Sequence, residues 1–339
     1  MLTGLLFVIL GAVCGGSFGL PSKFVRKDTP WEVLWGPFFL FVTVLLPVVL
    51  GPLLVKDFWA IYAEAGLATL LLPLVFGFLW GMGSMTLGMS FAFIGLSLAY
   101  ALNYGAQIAF SSMAPTLLLH PETILTPGGY VLMAGVAACL VGVVVSGRAA
   151  MLKERSLKPN VDADAARPPK MLIGVAVGIA SGILCACYAL AVVYSGDIVT
   201  IAMTTYGNVA WSASWAQMAL ILWGGAVSAC GFCVYKLTKN RTWGHFARPG
   251  VGRILALAAA MAILHDGAIF CFNLAINVGG ISVPVGYPVF MSLAIIVGNV
   301  HGFRSGEWRG ASRRSIGWIV AGIAILIGGV CILGKAMAM

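Results

Sequence analysis

Residues 133–145 read MAGVAACLVGVVV, and after a single serine residues 147–155 read GRAAMLKER. Thirteen residues without a charge followed by a basic cluster is the pattern of a membrane helix that ends on the cytoplasmic side. The apolar motif returns near the end of the chain as VAGIAILIGGVCI at residues 320–332, displaced by 187 positions. One helix and its echo already point to a membrane protein built from a repeat.

Composition extends this reading to the whole chain. Of 339 residues, 60% are hydrophobic and 9% are charged, whereas soluble domains carry about 25% charged residues. That excludes a water-soluble globule, a disordered chain and a disulfide scaffold, and it leaves enough apolar sequence for about ten spans of about 20 residues. The 43 glycines suit helices packed in lipid, where small residues allow close approach. Eight cysteines in so long an apolar chain do not suggest a disulfide framework. A net charge of +9 does not imply nucleic acid, because the basic residues lie in short gaps between apolar runs and not on one folded face. No basic stretch or small-residue cleavage site precedes the first apolar run, which is therefore expected to be a retained helix.

Apolar periodicity and Gly/Pro breaks predict ten helices, at 3–22, 32–54, 67–93, 96–119, 127–147, 171–195, 209–235, 253–278, 281–301 and 315–335. The loops test the count. The first holds Lys23, Arg26 and Lys27, and the fifth Arg148, Lys153, Arg155, Lys158, Arg167 and Lys170. The seventh holds Lys236, Lys239, Arg241, Arg248 and Arg253, and the ninth Arg304, Arg309, Arg313 and Arg314. Only Lys56 and Lys335 fall elsewhere. Cytoplasmic loops gather Lys and Arg, so the odd loops are expected in the cytoplasm and both termini in the periplasm.

The repeat has further traces. Gly95-Leu96-Ser97 resembles Gly280-Ile281-Ser282, and Gly11-x-x-x-Gly15 resembles Gly178-x-x-x-Gly182, at offsets that place extra residues of the second half near Asp197 to Asn208. Five helices per half is an odd number, so the halves enter the bilayer in opposite senses, as in many secondary transporters. The fold class expected is an all-α integral membrane protein, with ten transmembrane helices in two inverted five-helix repeats. The repeats would be 1–147 and 171–339, joined by a polar cytoplasmic linker at 148–170.

Several stretches resemble the L-rhamnose–proton symporter family of the drug/metabolite transporter superfamily. FGLPSKFVRK (18–27) with WEVLW (31–35) is similar to the family's first loop, and LWGMGSMTLGMSFAFIGLSL (79–98) to its third helix and the turn into the fourth. FWAIY (58–62), GRAAMLKER (147–155) and GEW (306–308) also fit. The resemblance implies two inverted five-helix repeats, a bacterial inner membrane, and uptake of a deoxy sugar with a proton. One departure is the eighth helix, small and apolar over residues 255–263 where the family is rich in aromatic and amide residues. That keeps open a carrier importing or exporting another sugar, an amino acid or another small metabolite.

Ionisable groups inside membrane spans are costly and usually functional. Ten of the eleven acids lie in loops or at helix ends; Asp266, beside His265, falls mid-span. This pair is the candidate for proton coupling, against a purely structural role in bonding neighbouring helices. Asn273 lies two turns along the same face, with Asn277 near the helix end as a cap or interface group. In the fourth helix Asn103 and Gln107 are one turn apart, flanked by Tyr100 and Tyr104, with Ser111 beyond. Amides and phenols can each donate and accept, which suits sugar hydroxyls; the competing role is interhelical bonding. Trp80 is a candidate stacking surface, and Tyr287, between Pro284 and Pro288, is expected where the ninth helix is broken. Trp211 and Trp215 fit an interfacial belt better. Cys230-x-x-Cys233 lies in an apolar helix without a partner pair, so it is read as packing.

The expected function is proton-coupled import of a neutral deoxy sugar, L-rhamnose foremost, by alternating access. Asn103, Gln107, Tyr104, Trp80, Asn273 and Tyr287 would contact the sugar. The proton is the coupling ion, no cofactor is expected, and the bilayer is the surrounding partner. An intramembrane enzyme would need a convergent nucleophile and base or a metal cluster, for which only His265-Asp266 is available. No motif speaks to oligomeric state.

Overall fold

A computed structural model describes residues 2–26, 28–157 and 168–336; the side chains at 88–89, 91–92, 95–98 and 168–170 lie outside that description. Lys27 and linker residues 158–167, including Lys158, Pro159 and Arg167, are likewise outside the described residues.

Among the described residues the backbone is helical or turn throughout, without strands. In chain order the helices are α1 (Leu2–Ser17), α2 (Trp31–Leu40), α3 (Leu46–Leu54), α4 (Phe58–Leu119), α5 (Pro127–Leu157) and α6 (Pro168–Tyr194). Then follow α7 (Gly196–Thr204), α8 (Ala210–Lys239), α9 (Val251–Asn277), α10 (Val283–Arg304) and α11 (Arg313–Ala336). Nine stretches of the described residues are long and apolar enough to cross a membrane. Large apolar side chains such as Leu53, Leu67, Leu172 and Val227 stand exposed on them, as a lipid-facing surface requires.

α2 and α3 form one span joined by a π-turn at Phe41–Leu45. Pro47 explains it: its ring cannot donate to, and crowds, the carbonyl of Thr43, so the helix widens there. α5 runs ten residues past its expected end, because Arg148–Leu157 is rich in Ala, Leu, Lys, Glu and Arg, all strong helix formers. The extra residues expected near Asp197–Asn208 hold the short α7.

The expected third and fourth helices appear as the single helical segment α4. Its 62 residues would measure about 93 Å if straight, three times a bilayer core. Contacts show that it doubles back. Ser181 Oγ donates to Gly83 O at 2.9 Å and accepts from Asn103 Nδ2 at 2.8 Å. On a straight helix residues twenty apart would be about 30 Å from each other, so the chain reverses between them and supplies two crossings. Near the other end of α4, Gly66 has φ +72°, a left-handed kink that offsets the first turns from the span beginning at 67.

The chain packs as two units, one of residues 1–82 and 190–280, the other of 83–189 and 281–339. In the first, α1 meets the turn after α9 at glycine: a Cβ on Gly279 would fall on the backbone of Gly4. Gly77 and Gly224 bring α4 and α8 equally close. In the second unit α5 packs along α11. A Cβ on Gly135 would meet Leu333, one on Gly142 Leu326, one on Gly329 Cys139 and one on Gly322 Ser146. Adding 187 to one member and subtracting it from the other turns each of these pairs into another of the set.

Candidate functional site

The expected site residues fall into two constellations, one in each unit. In the first unit, α9 carries His265 and Asp266. Asp266 is buried, at 2% exposure, and His265 is half-buried. Neighbouring helix residues point about 100° apart, yet the two side chains turn toward each other, with His265 Nδ1 at 3.1 Å from Asp266 Oδ1. Asp266 Oδ2 is buried without a hydrogen-bond partner among the described residues.

Three aromatic rings enclose the imidazole. Phe18 lies 5.5 Å away at 72°, Phe38 5.6 Å at 87°, and Trp80 5.8 Å at 38°. Trp80 thus joins the proton-coupling candidates. Phe18 and Phe38 were not singled out from sequence, where phenylalanines in an apolar chain look like ordinary core. Asn273 is fully buried two turns further along α9.

Asn277 belongs to a separate network. Its Nδ2 donates to Gln217 Oε1 at 2.7 Å and Ser214 Oγ at 3.0 Å, while Gln217 Nε2 donates to Val192 O at 2.9 Å. That fits the interface role expected of Asn277. Gln217 was not singled out from sequence, although Ser214 lies one turn before it on the same face. Trp215 is buried against Phe270 at 5.4 Å, so it is core and not belt, whereas Trp211 is exposed.

Glu32 is a second buried carboxylate in this unit, at 3% exposure. It accepts from Asn240 Nδ2 and Thr242 Oγ1, both at 2.9 Å, and so ties the end of α8 to the start of α2. Its place in the first turn of a helix made it read as a terminal charge.

In the second unit, Asn103, Gln107 and Tyr287 join in one directed chain. Tyr287 OH donates to Gln107 Oε1 at 3.1 Å, Gln107 Nε2 to Asn103 Oδ1 at 2.6 Å, and Asn103 Nδ2 to Ser181 Oγ. Each donor in such a chain polarises the next. Tyr104 stacks on Tyr100, with centroids 5.5 Å apart at 19°. Ser111 bonds back to Ile108 O and stands apart from the chain. The expected break at Tyr287 is absent, since α10 is continuous over Val283–Arg304. Pro284 occupies the first turn, where its missing N–H has no intrahelical acceptor to serve.

No group of three or more His, Cys, Asp or Glu able to hold a metal occurs among the described residues. What the two constellations offer is proton exchange at one carboxylate–imidazole pair, and recognition of hydroxyls by amides and a phenol.

The family described as L-rhamnose-proton symport protein matches residues 1–339. The L-rhamnose-proton symporter of Cronobacter sakazakii is 26% identical, over 99% of this chain and 97% of the relative. That of Pectobacterium atrosepticum is 25% identical over 100% and 98%, and that of Salmonella typhi 26% over 99% and 98%. A solved crystal structure, 13% identical and covering 99% of this chain and 97% of its own, matches with a TM-score of 0.58 and speaks to the fold alone. A transporter family thus accounts for the whole length, and no enzyme is involved: this multi-pass membrane chain belongs to the L-rhamnose-proton symport protein family.

Proposed function

We propose that the protein imports L-rhamnose together with a proton across the bacterial inner membrane by alternating access. The observation that carries this reading is the buried His265–Asp266 pair in mid-span, the kind of group a proton-driven carrier requires. The full-length family match supports the same cargo and driving ion. For a neutral sugar, one proton per cycle moves one charge, about 2.3 kcal/mol per 100 mV. That corresponds to roughly 50-fold accumulation.

In this reading Asp266 and His265 exchange the coupling proton. Asn103, Gln107, Tyr104, Tyr287, Trp80 and Asn273 contact the sugar, and the Tyr287–Gln107 bond is the one a sugar hydroxyl replaces. The architecture we infer is two inverted five-helix repeats, 1–147 and 171–339, within the drug/metabolite transporter superfamily, with both termini periplasmic. The α5–α11 contact supports it: pairs that interchange under a shift of 187 are what a two-fold axis across antiparallel helices produces. So does the composition of the packing units. The second and third spans share a unit with the seventh and eighth, and the fourth and fifth with the ninth and tenth.

Proteoliposomes with an imposed pH gradient test the function. Rhamnose-dependent proton uptake is the expected result. Proton flux that answers to an amino acid and not to any sugar would overturn it, and the small, apolar 255–263 stretch makes that comparison worth including.

A further inference from the structure

Asp266 presents its two carboxylate oxygens to different surroundings within the unit of residues 1–82 and 190–280. Oδ1 is bonded to His265. Oδ2 is buried on a residue 2% exposed, and no described group donates to it. A buried carboxylate oxygen left without a donor is costly, so it marks a place where a donor arrives. The rings of Phe18, Phe38 and Trp80 stand around the neighbouring imidazole at 5.5, 5.6 and 5.8 Å. Apolar faces beside one charged acceptor suit a sugar: rings cover its C–H face and the carboxylate takes a hydroxyl.

We propose that Asp266 Oδ2 accepts a hydroxyl of the transported sugar while the coupling proton sits on His265. Two oxygens of one carboxylate then join sugar binding to proton binding. This rests on the transport reading above and deepens it.

The linkage works through charge. With His265 neutral, its Nδ1–H donates to Oδ1 and the pair carries a net negative charge. A proton taken up at Nε2 makes the imidazolium, and the pair becomes neutral overall. A sugar hydroxyl donating to Oδ2 stabilises the ionised carboxylate, and with it the imidazolium facing Oδ1. By reciprocity the proton tightens sugar binding by the same factor. Trp80 and Phe38 are buried, whereas Phe18, on the turn after α1, is half-buried.

The elements flanking α9 carry other ionisable groups, of which Cys14 comes within 3.9 Å of a Cβ placed on Gly267, next to Asp266. They are Cys14 on α1, Glu32 on α2, Lys23 in the turn Leu20–Phe24, Tyr62 and Glu64 on α4, and His245 in the turn Trp243–Ala247. α8 adds Cys230, Cys233, Tyr235, Lys236 and Lys239. Glu32 is engaged by Asn240 and Thr242, and the hydrogen bond of His265 and Asp266 stays within the pair.

Calorimetric binding of L-rhamnose and its monodeoxy analogues to the full-length protein in nanodiscs, at several pH values, tests the contact. Rhamnose should bind more tightly as pH falls. One analogue should bind about tenfold or more weakly, with an affinity that no longer follows pH, and its penalty should vanish in Asp266→Asn. The inference is overturned if every analogue keeps its penalty in Asp266→Asn. Should that variant fail to fold, the wild-type series decides alone: a pH slope retained by all analogues refutes the contact. Absence of any rhamnose binding would instead refute the transport reading itself.

Discussion

Asn103 Nδ2 donates to Ser181 Oγ at 2.8 Å, and the same hydroxyl donates to the carbonyl of Gly83 at 2.9 Å. One small side chain on α6 thereby fastens two limbs of α4 that are twenty residues apart in sequence. Gly182 next to it makes room: a Cβ there would fall on the Asn103 carbonyl and Ala106. Serine beside glycine therefore serves both polar satisfaction and close approach, the two means by which helices adhere in lipid.

Ser181→Ala removes both bonds and leaves the Asn103 amide short of a partner. Interhelical bonds in membranes average about 0.6 kcal/mol each, so a loss of roughly 1 kcal/mol is expected. Thermal unfolding in detergent should show a lowered midpoint, with Ser181→Thr closer to wild type. An unchanged midpoint in Ser181→Ala would mean that the two limbs are held by packing alone.

Tyr287→Phe keeps the ring and deletes the hydroxyl that donates to Gln107 Oε1. If that hydroxyl meets the sugar during transport, KM for rhamnose should rise about tenfold, the worth of one or two hydrogen bonds, with little change in kcat. A variant that loses thermal stability but keeps its KM would assign Tyr287 to the internal chain only.

Much of this architecture was legible beforehand, for physical reasons. Lipid imposes long apolar helices and charge-sorted loops, so most of the helices could be read from hydropathy and from the Lys and Arg positions. The break expected at residues 94–95 falls within the stretch between Gly83 and Asn103 where α4 reverses, although the backbone there is helical. Individual partners were less visible. Asn103 and Gln107 announced each other by spacing, since one helical turn separates them. Phe18 and Phe38 did not, because a ring that cages an imidazole and a ring that fills a core look alike in sequence. Glu32 was hidden by its position: a carboxylate in a first helical turn is normally solvated, and only the fold brings Asn240 and Thr242 over it.

Gly142→Val and Gly329→Val probe the α5–α11 contact from its two sides. Gly142 faces Leu326, and Gly329 faces Cys139, positions that the shift of 187 interchanges. Each substitution inserts bulk where none fits, at a cost of about 1–3 kcal/mol. Under the two-fold relation the two losses should be similar, because each valine meets an equivalent close contact. Unfolding midpoints that differ widely would separate the helices' likeness in sequence from any likeness in packing.

Asp266→Asn bears on the coupling itself. Asparagine keeps the size and can still bond to His265, but it removes the negative charge that stabilises an imidazolium at His265, so the proton is no longer held there. Accumulation of rhamnose driven by a pH gradient should be lost, while exchange of labelled for unlabelled sugar across proteoliposomes, which needs no net proton movement, should persist. His265→Gln removes the other member, and on the same logic it should also abolish accumulation and flatten the pH dependence of uptake. The sign follows from the cycle: loading outside requires the protonated pair, so wild-type uptake rises as external pH falls. Undiminished pH-driven accumulation in Asp266→Asn would move the coupling away from this carboxylate.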